Sequence, residues 1–394
     1  MSPRAYLTAR PLSFGHLVDQ REGVAWMKAA LQRIAEERPV PDLDRALRLY
    51  DLLARRSSID SRVTALDDYT HQDWDRMRVH AAPPAGDGQA PPGAPWYQAP
   101  LDGRMEVFAE TARDIAARAF ADDAAAPDAI LQVSCTGYDS PTATQRVAVE
   151  KGWAQTRMLH IGHMGCYAAL PAVATAADLV AAAVARQPVA RQPVGAGDDA
   201  PADAHAAILL VEMCTLHHDP ATTDVEQIVQ QCLFADGAAR VDVTARPRPG
   251  AFALLDHAET ILPDTLDQMT WRASSPAFRM TLSRDVPQHI HAHVGALVDT
   301  LLARNGLGTQ DVGAFAIHPG GPRVIEQTAE ALGLADEAVR HSQAVLRERG
   351  NMSSTTLPHI WARIAADASV AGAFVCSVAF GPGLTATANL MRAA

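Results

Sequence analysis

The sequence predicts an α/β fold, and three features of it do so. Short apolar runs recur along the chain at AILQVSC (129–135), TRMLHIG (156–162), AAILLVEMC (206–214), AARVDVT (238–244), GAFAIHP (313–319) and AFVCSVAF (373–380). Their near-continuous apolar character is that of strands covered on both faces. Segments with helical periodicity lie between several of them, which is the pattern of a sheet layered with helices. A faint internal echo adds that AILQVSCTG and GAFAIHPGG are both strands ending in polar turns, with AILLVEM and AFVCSVAF as later strands of the same kind.

The elements follow in order. Residues 19–56 carry helical signals, with Val24, Trp26 and Met27 and then Ala46, Leu47, Leu49, Leu52 and Leu53 spaced near the helical period. Residues 81–100 are rich in proline and glycine and read as a loop, followed by a helix over 103–121. The run 167–185 reads as an alanine-rich helix that can pack deep. Residues 186–204 repeat RQPV and read as an exposed insertion. A chain of 394 residues exceeds one ordinary core, so two packed halves are expected, 1–248 and 249–394, meeting at the turn RPRPG.

Composition narrows the function. Hydrophobic residues make up 48% and charged residues 20%, a globular rather than a disordered or fibrous balance. The formal net charge of −11 argues against nucleic acid as partner, because phosphate backbones need a basic surface. Five scattered cysteines do not make a secreted disulfide framework, and a reducing cytoplasm is expected. The N-terminus lacks the pattern of a secretory signal, and the alanine-rich run, broken by Pro171 and Asp178, predicts no membrane span.

Three polar residues stand at strand ends or helix mouths, where a scaffold fixes side chains yet leaves them reachable. Cys166, in GHMGCYAALP, follows the strand 156–162 and opens the alanine-rich helix. It is either a small packing residue or a nucleophile whose thiolate is favoured by the free N–H groups of the helix start. His318 ends the strand GAFAIH before the turn PGGP. A histidine there is a structural hydrogen-bonder or a general base. Asn351, in RERGNMSS, is either a helix N-cap or a carboxamide that donates to a developing oxyanion. A Cys–His–Asn set serves thiol hydrolases and condensing enzymes alike, and spacing alone does not separate them. Cys214, His217, His218 and Asp219 form C-x-x-H-H-D, but with no second well-spaced ligand pair no metal is predicted. His289, His291 and His293 read as a solvated helix face.

The stretches SSIDSR (57–62), SCTGYDSP (134–141), MGCYAALPA (164–172), LFADGAA (233–239), AETILPDT (258–265), RDVP (284–287), IHPGGPRVIE (317–326), GNMSSTT (350–356) and FGPGLT (380–385), which holds Gly383, occur in one order. In them the chain resembles the type III polyketide synthases, the chalcone and stilbene synthase family of condensing enzymes. The resemblance implies a thiolase fold, a duplicated five-layered αβαβα arrangement, and a homodimer. It implies Cys166 as the acyl-carrying nucleophile, His318 as its activating partner and Asn351 as a second donor to the thioester carbonyl. The implied reaction joins an acyl starter to malonyl units by decarboxylative Claisen condensation, giving an alkylpyrone or resorcinol. The substrates would be small acyl thioesters, of coenzyme A or of an acyl carrier protein, with no bound cofactor. A ketosynthase that couples two β-ketoacyl thioesters without malonyl extension would use the same three residues.

Other positions follow from the same resemblance. Phe234 matches an aromatic gate, and Met280 stands where a second aromatic gate is common, so a flexible thioether softens the cavity mouth. Cys135 falls where plant members carry Thr and several bacterial members carry Cys, and is expected to line the cavity. Ser140 lies on the loop that crosses the dimer interface. Arg55, Arg56 and Arg62 are available in the region that grips coenzyme A phosphates.

Overall fold

The computed structural model describes residues 3–80, 98–186 and 204–393. Most of the expected loop at 81–100 and of the RQPV insertion lies outside the described residues. The elements run β1 (Ala5–Pro11), β2 (His16–Asp19), α1 (Gln20–Glu37), α2 (Leu43–Arg56), β3 (Ser61–Thr64), α3 (Leu101–Ala119), β4 (Ala129–Ser134), α4 (Ala143–Glu150), β5 (Arg157–Gly162), α5 (Ala169–Arg186), β6 (His205–Met213), α6 (Val225–Leu233) and β7 (Asp236–Thr244). They continue with β8 (Phe252–Ile261), β9 (Met269–Arg272), β10 (Arg279–Leu282), α7 (Val286–Ala303), β11 (Val312–Ile317), α8 (Pro322–Ala331), α9 (Asp336–Arg349), α10 (Thr356–Ala365), β12 (Phe374–Gly381) and β13 (Thr385–Ala393).

Nine strands form one mixed sheet in the order β11-β12-β13-β8-β1-β7-β6-β4-β5. At its centre β1 pairs antiparallel with β8, Leu7 lying opposite Phe252. Outward from that pair both arms repeat one pattern of two antiparallel pairings and then a parallel one: β7, β6 and β4 on one side, β13, β12 and β11 on the other. The strands that echo each other in sequence, β4 with β11 and β6 with β12, hold equivalent places in the two arms.

The layering follows from strand alternation, which sends successive side chains to opposite faces. Ile130, Leu209 and Val211 join residues of α1, α2, α3 and α4 in one outer core. Leu131, Val133, Ile208 and Leu210 face the other way, onto α5 and α10. In the second arm Ala314 and Ala316 face that same central core, whereas Phe315 and Ile317 join α7, α8 and α9 in a third. Three cores separated by two sheet walls make the five-layered thiolase arrangement. The walls are continuous through β1 and β8 rather than separate.

Helix α5 is long and apolar enough to cross a membrane by composition, yet half of it is buried and it packs in the central core, where its alanines let it lie close between the walls. The sequence reading missed three strands of the main sheet: β1, β8 and β13. Strand β13, TATANLMRA, buries Thr387 and Asn389 completely and so shows no apolar run.

Trp361 on α10 is fully buried in the central core and donates from Nε1 to Ser377 Oγ at 2.9 Å. Trp361→Ala should lower stability by about 3–5 kcal/mol, read as a reduced urea midpoint.

Candidate active site

Two motifs distant in sequence are stitched together beneath the site. Phe234 and Asn351 form an isolated parallel bridge. Its bonds run from Ala235 N to Asn351 O at 2.8 Å and from Asn351 N to Leu233 O at 2.9 Å. Arg62 is 7% exposed and donates to Gln20 Oε1 at 2.7 Å and to the carbonyls of Gln231 and Phe234 at 2.5 and 2.8 Å. Gly350 lies in the left-handed region at φ 74°, and a Cβ there would meet Leu233 O at 3.0 Å. Gly237 lets β7 close onto the next turn, since its Cβ would meet Thr355 Oγ1 at 2.0 Å. The glycines of LFADG and GNMSS are therefore places of backbone contact.

Cys166 sits where two cavities meet. The outer one, about 460 Å³, is lined by Cys166, His318 and Asn351 among others. The inner one, about 50 Å³, is lined by Cys135, Cys166, Cys214, His217 and His218 together with Trp271 and Phe278. Phe234 and Met280 border both, with Cys166 and Cys214 packed against Phe234. The thiol is thus at the junction and the two expected gate residues flank it.

The charge state differs from the expectation of a thiolate at a helix start. Helix α5 begins at Ala169, three residues later, and burial pushes the Cys166 thiol up to about 12 against the hydrogen bonds from Ser353 and Asn351. Burial also pushes His318 down to about 3. Its backbone N–H bonds Val378 O at 2.8 Å, holding it at the end of β11, while both ring nitrogens are buried without a partner. Thiol and imidazole are both neutral at rest, and no hydrogen bond joins them. Catalytic hydrogen bonds commonly tighten only when substrate is bound.

Asn351 is fully buried, and its Oδ1 accepts from Ser353 N at 2.9 Å. Its Nδ2 bonds the Cys166 thiol and has a long 3.5 Å contact to Gly320 O, and the residue lines the outer cavity. The N-cap alternative does not hold, because α10 starts later, at Thr356, and takes no cap from Asn351.

Cys135 lines the inner cavity, with Sγ 3.3 Å from Ser353 Oγ and 3.4 Å from Glu212 Oε2. Glu212 is fully buried, and burial raises its pKa against bonds from Ser354 Oγ at 2.5 Å, Thr136 Oγ1 at 2.7 Å and Cys135 N at 3.0 Å. Sequence reasoning missed Glu212, Ser353, Trp271, Arg284 and Arg323. The signal for Glu212 was available: a lone carboxylate inside the apolar run AAILLVEMC.

Several expected positions lie elsewhere. Arg62 does not reach the outer cavity, because it points inward from β3 into the bonds above. Arg55 is exposed but borders neither cavity, whereas Arg56 lines the outer one. Two further exposed guanidiniums, Arg284 and Arg323, line it as well. Ser140 is exposed and borders neither cavity. Gly383 turns the chain between β12 and β13 at φ 91° and bonds Met269 O at 3.3 Å, so its neighbours Phe380 and Pro382 form the walls instead. Of C-x-x-H-H-D, His217 is held by Thr136 O at 2.7 Å and Phe278 N at 3.1 Å, and His218 by Tyr69 Oη at 2.7 Å. Among the described residues no three such side chains converge for a metal.

Known proteins carry the same architecture. Residues 253–394 match the family model for the C-terminal domain of chalcone and stilbene synthases. An alpha-pyrone synthesis polyketide synthase-like protein of Mycobacterium tuberculosis is 29% identical over 297 residues, covering 72% of this chain and 71% of that one. The 1,3,6,8-tetrahydroxynaphthalene synthase of Streptomyces griseus is 29% identical over 261 residues, covering 66% and 65%. The structure of a polyketide synthase from the brown alga Ectocarpus siliculosus superposes with TM-score 0.78 at 25% identity over 99% of both chains. That of the Streptomyces coelicolor tetrahydroxynaphthalene synthase, a bacterial type III polyketide synthase, superposes with TM-score 0.77 at 23% identity over 99% of both. Fold and relatives together define a thiolase-fold condensing enzyme, an acyltransferase. Residues 253–394 form a chalcone and stilbene synthase C-terminal domain, and the chain is similar over most of its length to type III polyketide synthases.

Arg62→Ala strips the Gln231 and Phe234 carbonyls of their donor and should cost about 3 kcal/mol. The exposed Arg55→Ala should stay within about 0.5 kcal/mol of the parent. Guanidinium denaturation of both variants checks the contrast.

Proposed function

We propose that this chain loads an acyl starter on Cys166 and extends it with malonyl thioesters to an alkylpyrone or resorcinol. The observation that carries this reading is that Cys166 lines both the inner and the outer cavity, with the His318 imidazole and the Asn351 carboxamide lining the same outer cavity.

The proposed cycle follows from the two neutral partners. The starter thioester displaces water from the outer cavity and brings Cys166 and His318 together. The imidazole takes the thiol proton as sulfur attacks the carbonyl, and the carrier thiolate leaves with that proton. Malonyl thioester then occupies the same cavity with its carbonyl oxygen against the Asn351 Nδ2 and the His318 ring. Loss of carbon dioxide leaves an enolate whose oxygen those donors hold, and in a water-poor site such donors act strongly. The enolate carbon attacks the Cys166 acyl carbon, the acyl C–S bond breaks, and the Cys166 sulfur leaves as a thiolate that regains its proton from water. The chain, two carbons longer and now on the carrier thiol, extends past Phe234 and Met280 into the inner cavity.

Coenzyme A thioesters are the proposed substrates, with Arg56, Arg284 and Arg323 at the rim holding the nucleotide phosphates. We further propose the division into halves 1–248 and 249–394, a homodimer in which Ser140 meets the partner, and a cytoplasmic site of action. The half-exposed edge strand β5, which bears Leu159 and Ile161, supports self-association because an unpaired strand edge is a pairing surface.

Cys166→Ala, incubated with acyl-CoA and malonyl-CoA, should show no acyl adduct by intact-protein mass spectrometry and no product. Product formation by this variant would overturn the reading. Arg284→Gln combined with Arg323→Gln should raise KM for acyl-CoA about tenfold or more and weaken its salt dependence, with little change for an acyl-pantetheine that lacks the nucleotide.

A further inference from the structure

The pair His217–His218 plays no part in the cycle above, although both rings border the inner cavity. Their hydrogen bonds set them apart. His217 Nδ1 accepts from Phe278 N at 3.1 Å, so its Nε2 carries the proton and donates to Thr136 O at 2.7 Å. Both nitrogens are used, and the ring stacks on Phe278 at 4.5 Å as a fixed wall. His218 is 5% exposed and uses one nitrogen, Nδ1, which lies 2.7 Å from Tyr69 Oη. Its Nε2 is buried without a partner.

The tautomer follows from the tyrosine. Tyr69 is 7% exposed, and its hydroxyl bonds His218 alone among the described residues. A buried hydroxyl proton needs an acceptor, and Nδ1 is the one in reach. The proton of His218 therefore sits on Nε2. Burial lowers the His218 pKa well below its ordinary value, so the ring stays neutral with a single N–H to give. Among the described histidines that line either cavity, His318 and His218 are the two with an unpartnered buried ring nitrogen.

We propose that His218 is a further catalytic residue: its Nε2–H donates to a ketone oxygen of the poly-β-ketone chain in the inner cavity, and Tyr69 positions it by fixing the tautomer. This rests on the reading of the chain as a polyketide synthase. No atom passes to or from His218. A methylene proton between two carbonyls leaves to water, and its electron pair spreads onto the ketone oxygen that the N–H holds. The donor so selects which carbonyl of the chain enolises and how the chain lies before ring closure.

The test incubates the wild-type protein and the variants His218→Phe, His218→Gln and Tyr69→Phe with hexanoyl-CoA and [2-¹³C]malonyl-CoA. It reads carbon dioxide release and the ratio of the main ring product to shorter lactones and open-chain acids. His218→Phe should lower that ratio on the order of 100-fold, as removal of one oxyanion donor does. His218→Gln, whose amide N–H replaces the Nε2 donor, should recover it to within about tenfold of wild type. Tyr69→Phe should shift it in the same direction as His218→Phe. A wild-type ratio in all three variants overturns the proposal, as does a loss of turnover with the ratio unchanged. Where His218→Phe does not fold, the other two variants decide by the same ratio. A wild-type protein that releases no carbon dioxide overturns the polyketide reading instead, and this inference with it.

Discussion

The candidate site is held together by the two-bond bridge between Phe234 and Asn351. It joins the turn before β7, a strand of one wall, to the turn that leads into α10 of the central layer. The Arg62 guanidinium holds the near side of the bridge through three oxygen acceptors, and Gly350 and Gly237 supply the backbone closeness it needs. One rigid piece thereby carries the Phe234 ring and the Asn351 carboxamide together. Cys166 is set against it by a second closure: a Cβ on Gly165 would meet Pro382 at 2.9 Å and one on Gly381 the Tyr167 ring at 2.2 Å. The site is assembled by backbone packing, and side-chain polarity is then placed on it.

Burial has a chemical result. A thiol pushed up to about 12 and an imidazole pushed down to about 3 form a site with no net charge at rest. In the proposed cycle charge develops only when a thioester supplies the carbonyl that will take it, which is the condition under which fixed donors contribute most. Glu212 is the carboxylate closest to this chemistry through Cys135 and Ser353, and its donors hold it in place below the inner cavity.

Much of this was legible in the sequence. The apolar runs named six strands of the main sheet, and the motif order named the residues that line the cavities. What stayed hidden was hidden for physical reasons. Strand β13 buries polar side chains at zero exposure, so hydropathy has nothing to register. Arg62 looked like a surface cation because its buried acceptors are carbonyls, which leave no trace in residue type. The thiolate expectation failed because helix position was weighed without desolvation, and desolvation is the larger effect here. Ser140 and Gly383 lie inside motifs whose neighbours line the cavities, but neither lines a cavity itself.

The place of β1 has a further consequence. Residues 5–11 pair on one edge with β7 and on the other with β8, more than two hundred positions later in the chain. Both edges of this strand thus wait for segments far later in the chain. Long-range pairing of this kind slows folding and exposes an open strand meanwhile. Neither wall can close at β1 until those later segments are in place, which makes pairing across the centre of the sheet a late, long-range step.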